Sequence, residues 1–180
     1  DVLAKNGVEL IVKPSAGSPE NLQRLRDPNS GVDAAFIQGG TTFSKSDDDA
    51  LVSLGELYYE PLWIFYRDGV IKEGARVLDL KGKRLAIGHV GSGTQRLAME
   101  MLSVNGIDAQ NTRLISAGGF EVAAQLQAGE IDAVFVVGPT QSALVWALLY
   151  SPGVHLLDVT QAEAYTRQFA YLKHLVLPRG

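Results

Sequence analysis

The chain has 180 residues, enough to bury one good core or two small ones, and its apolar and charged fractions are ordinary for a globular protein. A net charge of −4 without a basic cluster argues against a nucleic-acid partner. The absence of cysteine excludes disulfides, thiolate metal sites and a cysteine nucleophile. The longest apolar run, Ala143 to Tyr150, is too short to cross a bilayer.

The first third of the chain predicts short extended segments around one helix. Val8 to Lys13 is rich in β-branched and aliphatic residues and predicts a strand. Ser18-Pro19 follows, with serine as a helix N-cap and proline at the first helical position. Ala34 to Ile37 is short and apolar, as expected of a buried parallel strand. Leu51 to Leu57 and Pro61 to Tyr66 predict further extended segments.

The rest of the chain predicts strands that alternate with helices, which implies a largely parallel sheet. Thr160 to Glu163 has the residue pattern of a capping box and predicts the start of the last helix. The predicted strands are Arg84–His89, Arg113–Ser116, Ala133–Val137, Val154–Val159 and Lys173–Leu177, and the other predicted helices follow Gly91–Thr94 and cover Phe120–Ala128 and Ser142–Tyr150.

Two stretches of the chain contain a similar sequence motif. In the first copy Ser15-Ala16-Gly17-Ser18 leads to Gly31–Thr41, and in the second Ser116-Ala117-Gly118-Gly119 leads to Gly129–Thr140. The likeness extends upstream, where Leu3–Val8 parallels Leu102–Ile107. The repeat predicts two α/β lobes that face each other across a cleft. We assign residues 1–64 and 175–180 to the first lobe and residues 65–174 to the second.

Each Gly/Ser/Thr turn is predicted where the carboxyl end of a strand meets the amino end of a helix. Unpaired helical N–H groups point outward there, and small residues let an anionic group approach them. Any strand–helix unit needs such a cap, so one turn alone indicates little. Three turns in duplicated lobes favour a binding site at this edge of the sheet. The candidate ligand-binding residues are Ser15, Gly17, Ser18, Gln38, Gly39, Thr41, Tyr59, Ser92, Gly93, Thr94, Gln95, Gly118, Gly119 and Pro139.

Tyr59 belongs to this set because a strand that joins two lobes passes through the floor of the cleft, where an aromatic ring can stack on a ligand. Other site chemistries fit poorly. Gly88 to Gly93 has neither the order of a dinucleotide fingerprint nor the ending of a phosphate loop. Ser92 does not lie in a hydrolase elbow. The three histidines lack metal-ligand spacing and are expected to be packed or solvated, so we predict no metal, cofactor or catalytic residue.

Several motifs together resemble the TAXI group of TRAP-transporter solute-binding proteins, over essentially the whole chain. They are Leu80–Gly88 followed by Gly91–Thr94, the Ser-Ala-Gly loops, and Tyr59–Trp63. The resemblance implies a type II periplasmic-binding-protein fold, an extracytoplasmic (periplasmic) location, and capture of a small solute, often an amino acid or other carboxylate, for a membrane permease. It implies crossing strands near Pro61–Tyr66 and His174–Leu177.

Family members also begin with a strand and a small-residue turn before the helix that ends near Asn6-Gly7. The resemblance therefore implies that the first lobe is incomplete, and that it could self-associate through its open sheet. Two other functions remain open from the residues. The same fold can serve as the cytoplasmic effector-binding domain of a transcription regulator, and less readily as an enzyme scaffold.

Overall fold

The computed structural model describes residues 2–41 and 51–177. In this part of the chain five strands form one mixed sheet in the order β3-β2-β4-β1-β5. The central strands β2 and β4 are parallel to each other and β2 is parallel to β3, whereas β1 runs antiparallel to both β4 and β5. The strands are β1 Leu62–Arg67, β2 Arg84–Ala86, β3 Arg113–Ile115, β4 Ala133–Val137 and β5 Val154–Leu156.

Helices cover both faces of this sheet. They are α1 Val2–Lys5, α2 Ser18–Arg26, α3 Gly93–Ser103, α4 Glu121–Gln127, α5 Ala143–Leu149 and α6 Ala162–Gln168, with a short 3-10 helix at Val77–Leu80. Alternation along β4 sends Phe135 to one face, where it packs with Met101 and Leu102 of α3. It sends Val134 to the other face, which Leu126 of α4 and other helical residues cover. The result is the α/β arrangement expected from the sequence.

Asp132 ties three strands together at the edge opposite the turns discussed below. Its carboxylate accepts hydrogen bonds from the backbone N–H and the guanidinium of Arg84 at 2.7–2.9 Å, and from Arg67 at 2.6 Å. These bonds join the start of β4 to the start of β2 and the end of β1. Hydrogen bonds from Arg84 hold the pKa of Asp132 well below its usual range, so the group is ionised when the sheet is formed.

The first third of the chain differs from the prediction. Val8–Lys13, Ala34–Ile37 and Leu51–Leu57 form no β-ladder in the structure, and neither does Lys173–Leu177. Their apolar side chains are largely exposed, Phe36 by 79%. A strand needs a neighbour to satisfy its backbone groups, and none of the described residues supplies a ladder to these segments. The strands predicted at 8–13, 34–37 and 173–177 are therefore wrong for the described chain, whereas residues 51–57, predicted only as an extended segment, do not contradict that prediction. The assignment of two lobes stays a prediction.

Two predicted helix starts also differ. Helix α2 has Gly17 as its N-cap residue, and Ser18 is already helical. Helix α6 begins at Ala162 and receives no side-chain cap, so the predicted capping box at Thr160 to Glu163 does not form. In both cases the residue that was expected to cap the helix lies one position from the observed N-cap residue, and the Ser18 hydroxyl accepts a hydrogen bond from Gln38 N instead.

Candidate functional site

The turns that follow the parallel strands meet at one edge of the sheet, as the repeat predicted. Pairing between β2 and β3 continues beyond both strands, because the N–H of Gly88 donates to Ala117 O at 3.0 Å. At the same edge, β1 begins beside the end of β4, and Gly138 N donates to Pro61 O at 3.2 Å. The indole N–H of Trp63 donates to Gly138 O at 2.9 Å and fixes this end of β4. This edge therefore gathers residues 87–92, 116–120 and 138–142.

The amino end of α3 is the best-defined part of this edge. Ser92 is the N-cap residue, and its hydroxyl accepts from the N–H of Gln95 at 3.1 Å. The amide of Gln95 accepts from Gly91 N at 2.9 Å and donates to Ser116 Oγ at 3.0 Å, so it joins this turn to the next one. Gly88 permits the tight turn, since it has a φ of +92° and a Cβ there would lie 2.9 Å from Ser92 Oγ.

The turn of the first copy reaches this same helix end. The N–H of Gln38 donates to Ser18 Oγ at 2.8 Å, and the buried Thr41 hydroxyl donates to Gln38 O at 2.6 Å. These bonds fix the backbone of Gln38, and its side chain extends to Gly93. A Cβ built on Gly93 would lie only 1.7 Å from Oε1 of Gln38. The structure thus brings together residues that lie 55 positions apart in the sequence.

The Ser15–Ser18 turn already holds an anionic group of the chain itself. The N–H of Ala16 donates to the carboxylate of Glu20 at 2.7 Å, and Glu20 pairs with Arg24 one turn further along α2. The hydrogen bond from Ala16 lowers the pKa of Glu20. An anionic solute at this turn would have to compete with Glu20, which the spacing of the sequence did not indicate.

A cavity of about 480 Å³ opens between α2 and the turn before α3. It lies next to both predicted turns but on the α2 side of them, and its walls combine apolar side chains with two charged ones. Its lining residues are Ala16, Pro19, Glu20, Leu22, Gln23, Arg26 and Gly91. The size is within the range of small-molecule sites.

The remaining predicted residues have other neighbours. Gly118 and Gly119 lie against His89, since a Cβ on Gly118 would be 3.2 Å from the imidazole. Pro139 follows β4, where its carbonyl accepts from Ser142 N at 3.0 Å. Tyr59 interacts with Lys173, which lies 5.1 Å from the centre of its ring and donates to its hydroxyl at 3.2 Å. The contribution of each to a binding site stays a prediction.

Sequence reasoning missed two side chains at or near this edge, and it named Ser116 as part of the second turn without including it among the candidate residues. His89 follows β2 and covers the Gly118–Gly119 turn, and its position just past a parallel strand was the available signal. Ser116 bonds Gln95 as described above. Tyr171, from the segment after α6, covers Gly40, and no sequence pattern connected these two positions.

Within residues 2–41 and 51–177, no cluster of three potential ligand side chains is arranged to hold a metal ion. No helix in the same ranges is long and apolar enough to span a membrane.

Comparison with known proteins places the chain in a family. Its sequence matches the NMT1-like family over residues 1–180, which is the whole chain. The chain belongs to the NMT1-like family. The fold of this NMT1-like chain is similar to that of several solved structures.

Three of the similar structures are arginine-bound or arginine-binding proteins. An ancestral arginine-binding protein bound to arginine has a TM-score of 0.51 and 19% identity, over 87% of this chain and 64% of its own. The substrate-binding protein AbpA of an amino acid ABC transporter from Streptococcus pneumoniae, bound to L-arginine, has a TM-score of 0.52 and 17% identity, over 87% and 60%. Holo ArgBP from T. maritima has a TM-score of 0.50 and 17% identity, over 86% and 62%.

These likenesses establish the fold of the NMT1-like chain as that of the periplasmic binding proteins. The chain spans 60–64% of the length of these three structures, less than two thirds of each. The expected fold class is confirmed.

Proposed function

We propose that this protein is the solute-binding receptor of a membrane transporter, and that it captures a small carboxylate-bearing solute such as an amino acid. The contact between Gln38 and Gly93 carries the proposal, because it joins the turn of the first copy to the amino end of α3. A receptor of this fold binds its solute where two such turns face each other. The arginine-bound proteins that share the fold support a solute of this class.

The chemistry of the α3 end favours an anionic group. The helix has eleven residues, and its first N–H groups carry the positive end of the helix dipole. Ser92 and Thr94 add hydroxyl groups at the same end, and Gly93 leaves the backbone open to close approach. The Gln38 amide lies in this space, so it can orient the solute or move aside for it. We assign the solute to the ends of these turns, with Gly39, Thr41 and Gly118–Gly119 around it.

The finer assignment is to a TAXI-type receptor of a TRAP transporter. The Leu80–Gly88 and Tyr59–Trp63 motifs support it. Such a receptor works on the extracytoplasmic side and delivers its solute to permease subunits. Genes for TRAP permease subunits beside the gene of this protein would support the assignment, and genes for an ABC permease and ATPase would replace it.

The binding test is calorimetry on the full-length protein with L-arginine, L-glutamate and succinate as separate probes. We expect at least one carboxylate to bind. The Thr94→Ala variant should then weaken that binding by about 0.5–1.5 kcal/mol, the contribution of one neutral hydrogen bond. Thr166→Ala is the matched control, because its hydroxyl bonds only Glu163 O on α6.

A bulkier change sharpens the same test. Gly93→Val fills the approach to the α3 end and displaces the Gln38 amide, so binding should be lost while the melting temperature stays close to the parent value. Unchanged affinity in Thr94→Ala and Gly93→Val, with both proteins folded, would show that these turns act only as helix caps.

A further inference from the structure

Tyr171 connects two parts of the molecule that the sequence keeps far apart. It lies in the irregular segment after α6, and its partly buried ring has neighbours on two sides. Its hydroxyl donates to the carboxylate of Glu100 on α3. The guanidinium of Arg96, one turn earlier on α3, lies 5.8 Å from the centre of the ring and pairs with Glu100 at 3.2 Å. Tyr171 is therefore anchored to α3 through two charged side chains.

The opposite side of the ring covers the turn of the first copy. Gly40 has a φ of +77°, and a Cβ there would lie 2.5 Å from the ring of Tyr171. The neighbouring Gly39 approaches Cβ of Tyr171 at 3.7 Å by the same measure. The glycine pair thus has a use that the sequence did not reveal, because it leaves room for an aromatic ring of the chain itself.

The same turn positions Gln38. The carbonyl of Gln38 accepts from the N–H and the hydroxyl of Thr41 at 3.2 and 2.6 Å, so residues 38–41 form one closed unit. A ring seated on Gly40 holds that unit against α3, and the Gln38 side chain then reaches Gly93 at the start of the helix. The contact between Gln38 and Gly93 thus depends on Tyr171, which touches neither of these two residues.

We infer that Tyr171, held by Glu100 and Arg96, is a positioning residue of the solute site that keeps the 38–41 turn at the amino end of α3. The role of Tyr171 in a solute site rests on the proposed function, whereas its effect on the position of the turn can be measured without a solute. Burial raises the pKa of Tyr171 well above its usual range, and the hydrogen bond to Glu100 raises it further. The Tyr171 hydroxyl is therefore protonated at neutral pH and donates to Glu100.

A distance measurement tests this arrangement without any solute. The chain has no cysteine, so Phe36→Cys and Met99→Cys give two unique spin-label sites on exposed residues of the turn region and of α3. Electron–electron double resonance should give one narrow distance peak with Tyr171 in place. Tyr171→Ala should lose this peak, and Tyr171→Phe, which keeps the ring but not the hydroxyl, should restore it in part.

Gly40→Ala should also displace the ring of Tyr171 while leaving Tyr171 itself unchanged, because the added Cβ would clash with the ring. Gly74→Ala is the matched control: Gly74 has the same φ of +77° but nothing within 4 Å of its Cβ, so it has the backbone strain alone. We expect loss of the narrow peak in Gly40→Ala and its retention in Gly74→Ala. An unchanged peak in Tyr171→Ala and Gly40→Ala, with both proteins folded by circular dichroism, would overturn the inference.

Calorimetry with whichever carboxylate probe binds the parent separates this inference from the proposed function. If the peak is lost and the affinity falls at least tenfold in Tyr171→Ala, Tyr171 positions the site. If the peak is lost and the affinity does not change, the positioning role is wrong while the receptor function stands. If no probe binds the parent protein, the receptor proposal fails, and the distance peak still decides whether Tyr171 holds the turn.

Discussion

Residues 33–37 and 132–136 carry almost the same sequence, Asp-Ala-Ala-Phe-Ile and Asp-Ala-Val-Phe-Val, in opposite surroundings. In the second copy, Phe135 is 1% exposed and lies in β4, between β2 and β1. In the first copy, Phe36 is 79% exposed and belongs to no ladder among the described residues. The same apolar pattern thus gives a central strand in one place and an exposed extended segment in the other.

The difference shows what a strand pattern does and does not specify. It specifies an extended backbone with apolar side chains ready for burial, and the neighbours decide whether a strand forms. Residues 133–137 find partners on both sides and helices on both faces. The first copy has a helix, α2, attached through Asn21 to Phe36 O at 2.9 Å, but a helix cannot replace the ladder bonds of a second strand.

The two aspartates extend the comparison. Asp132 is 7% exposed and accepts hydrogen bonds from Arg67 and Arg84, whereas Asp33 lies on the surface. The same aspartate position therefore stabilises the structure only where the sheet places arginine side chains beside its carboxylate.

The largest expected effect is at the phenylalanines. Phe135→Ala should lower the free energy of unfolding by about 3–5 kcal/mol, because it removes a fully buried ring from the core. Phe36→Ala should change it by less than about 0.5 kcal/mol, as for other exposed positions. Urea denaturation followed by tryptophan fluorescence, to which the buried Trp63 and the half-exposed Trp146 both contribute, measures both. Equal losses in the two variants would mean that the copies are packed alike.

The aspartates should show a smaller contrast. Asp132→Asn should cost about 3 kcal/mol, at the low end for a broken buried ion pair, because Arg67 and Arg84 are partly exposed. Asp33→Asn should be nearly neutral, and the same denaturation experiment compares them. If Asp132→Asn leaves the free energy of unfolding unchanged, the bonds from Asp132 to Arg67 and Arg84 do not stabilise the sheet.

The pH dependence of the Asp132 contribution has a definite sign. Its folded pKa lies below the unfolded value of about 3.9, so the unfolded chain binds more protons below that pH. The stabilisation is present above pH of about 4 and is lost as the pH falls through the depressed folded value. The stability difference between the parent and Asp132→Asn should therefore shrink in acid. A difference that stays constant from pH 7 to pH 3 would contradict the assignment.

The smallest effect is expected at the serines that open the two turns. Ser116→Ala removes the acceptor of the Gln95 side chain and should cost about 0.5 kcal/mol, the low end for an exposed neutral hydrogen bond. Ser15→Ala loses only a local bond to Gly17 N at 3.3 Å and should be close to neutral. Replicate urea titrations measure the free energy of unfolding of both variants. A larger decrease for Ser15→Ala than for Ser116→Ala would contradict this prediction.

Much of the fold could be predicted from residue patterns. The strand at 133–137 was predicted to the residue, and the α3, α4 and α5 helices within one or two residues, because their periodicity, glycines and caps are local signals. The antiparallel place of β1 between β4 and β5 was not predicted, since pairing partners do not show in a local pattern. The strands predicted at 8–13 and 34–37 were wrong for the same reason.

The candidate site was predictable to a different extent. Ser92, Gly93 and Gln95 were predicted because a helix start has its own residue signature. The meeting of Gln38 with Gly93 follows from tertiary contacts, although both residues had been selected. Glu20 at the first turn, His89 beside Gly118 and Tyr171 over Gly40 were not selected, because each depends on where a long side chain points in the folded chain.

The position of β1 has a consequence for the synthesis of the protein. Both strands that pair with β1 lie later in the chain. Gly138, whose carbonyl accepts the hydrogen bond from the Trp63 indole, is synthesised 75 residues after Trp63. At ribosomal speeds of about 5–20 residues per second, this interval lasts about 4 to 15 s. During it, Trp63, Ile64 and Phe65 have left or are leaving the ribosome without the strands that will bury them. Each nascent chain therefore presents an apolar segment to chaperones, or to other nascent chains, for several seconds before its sheet can close.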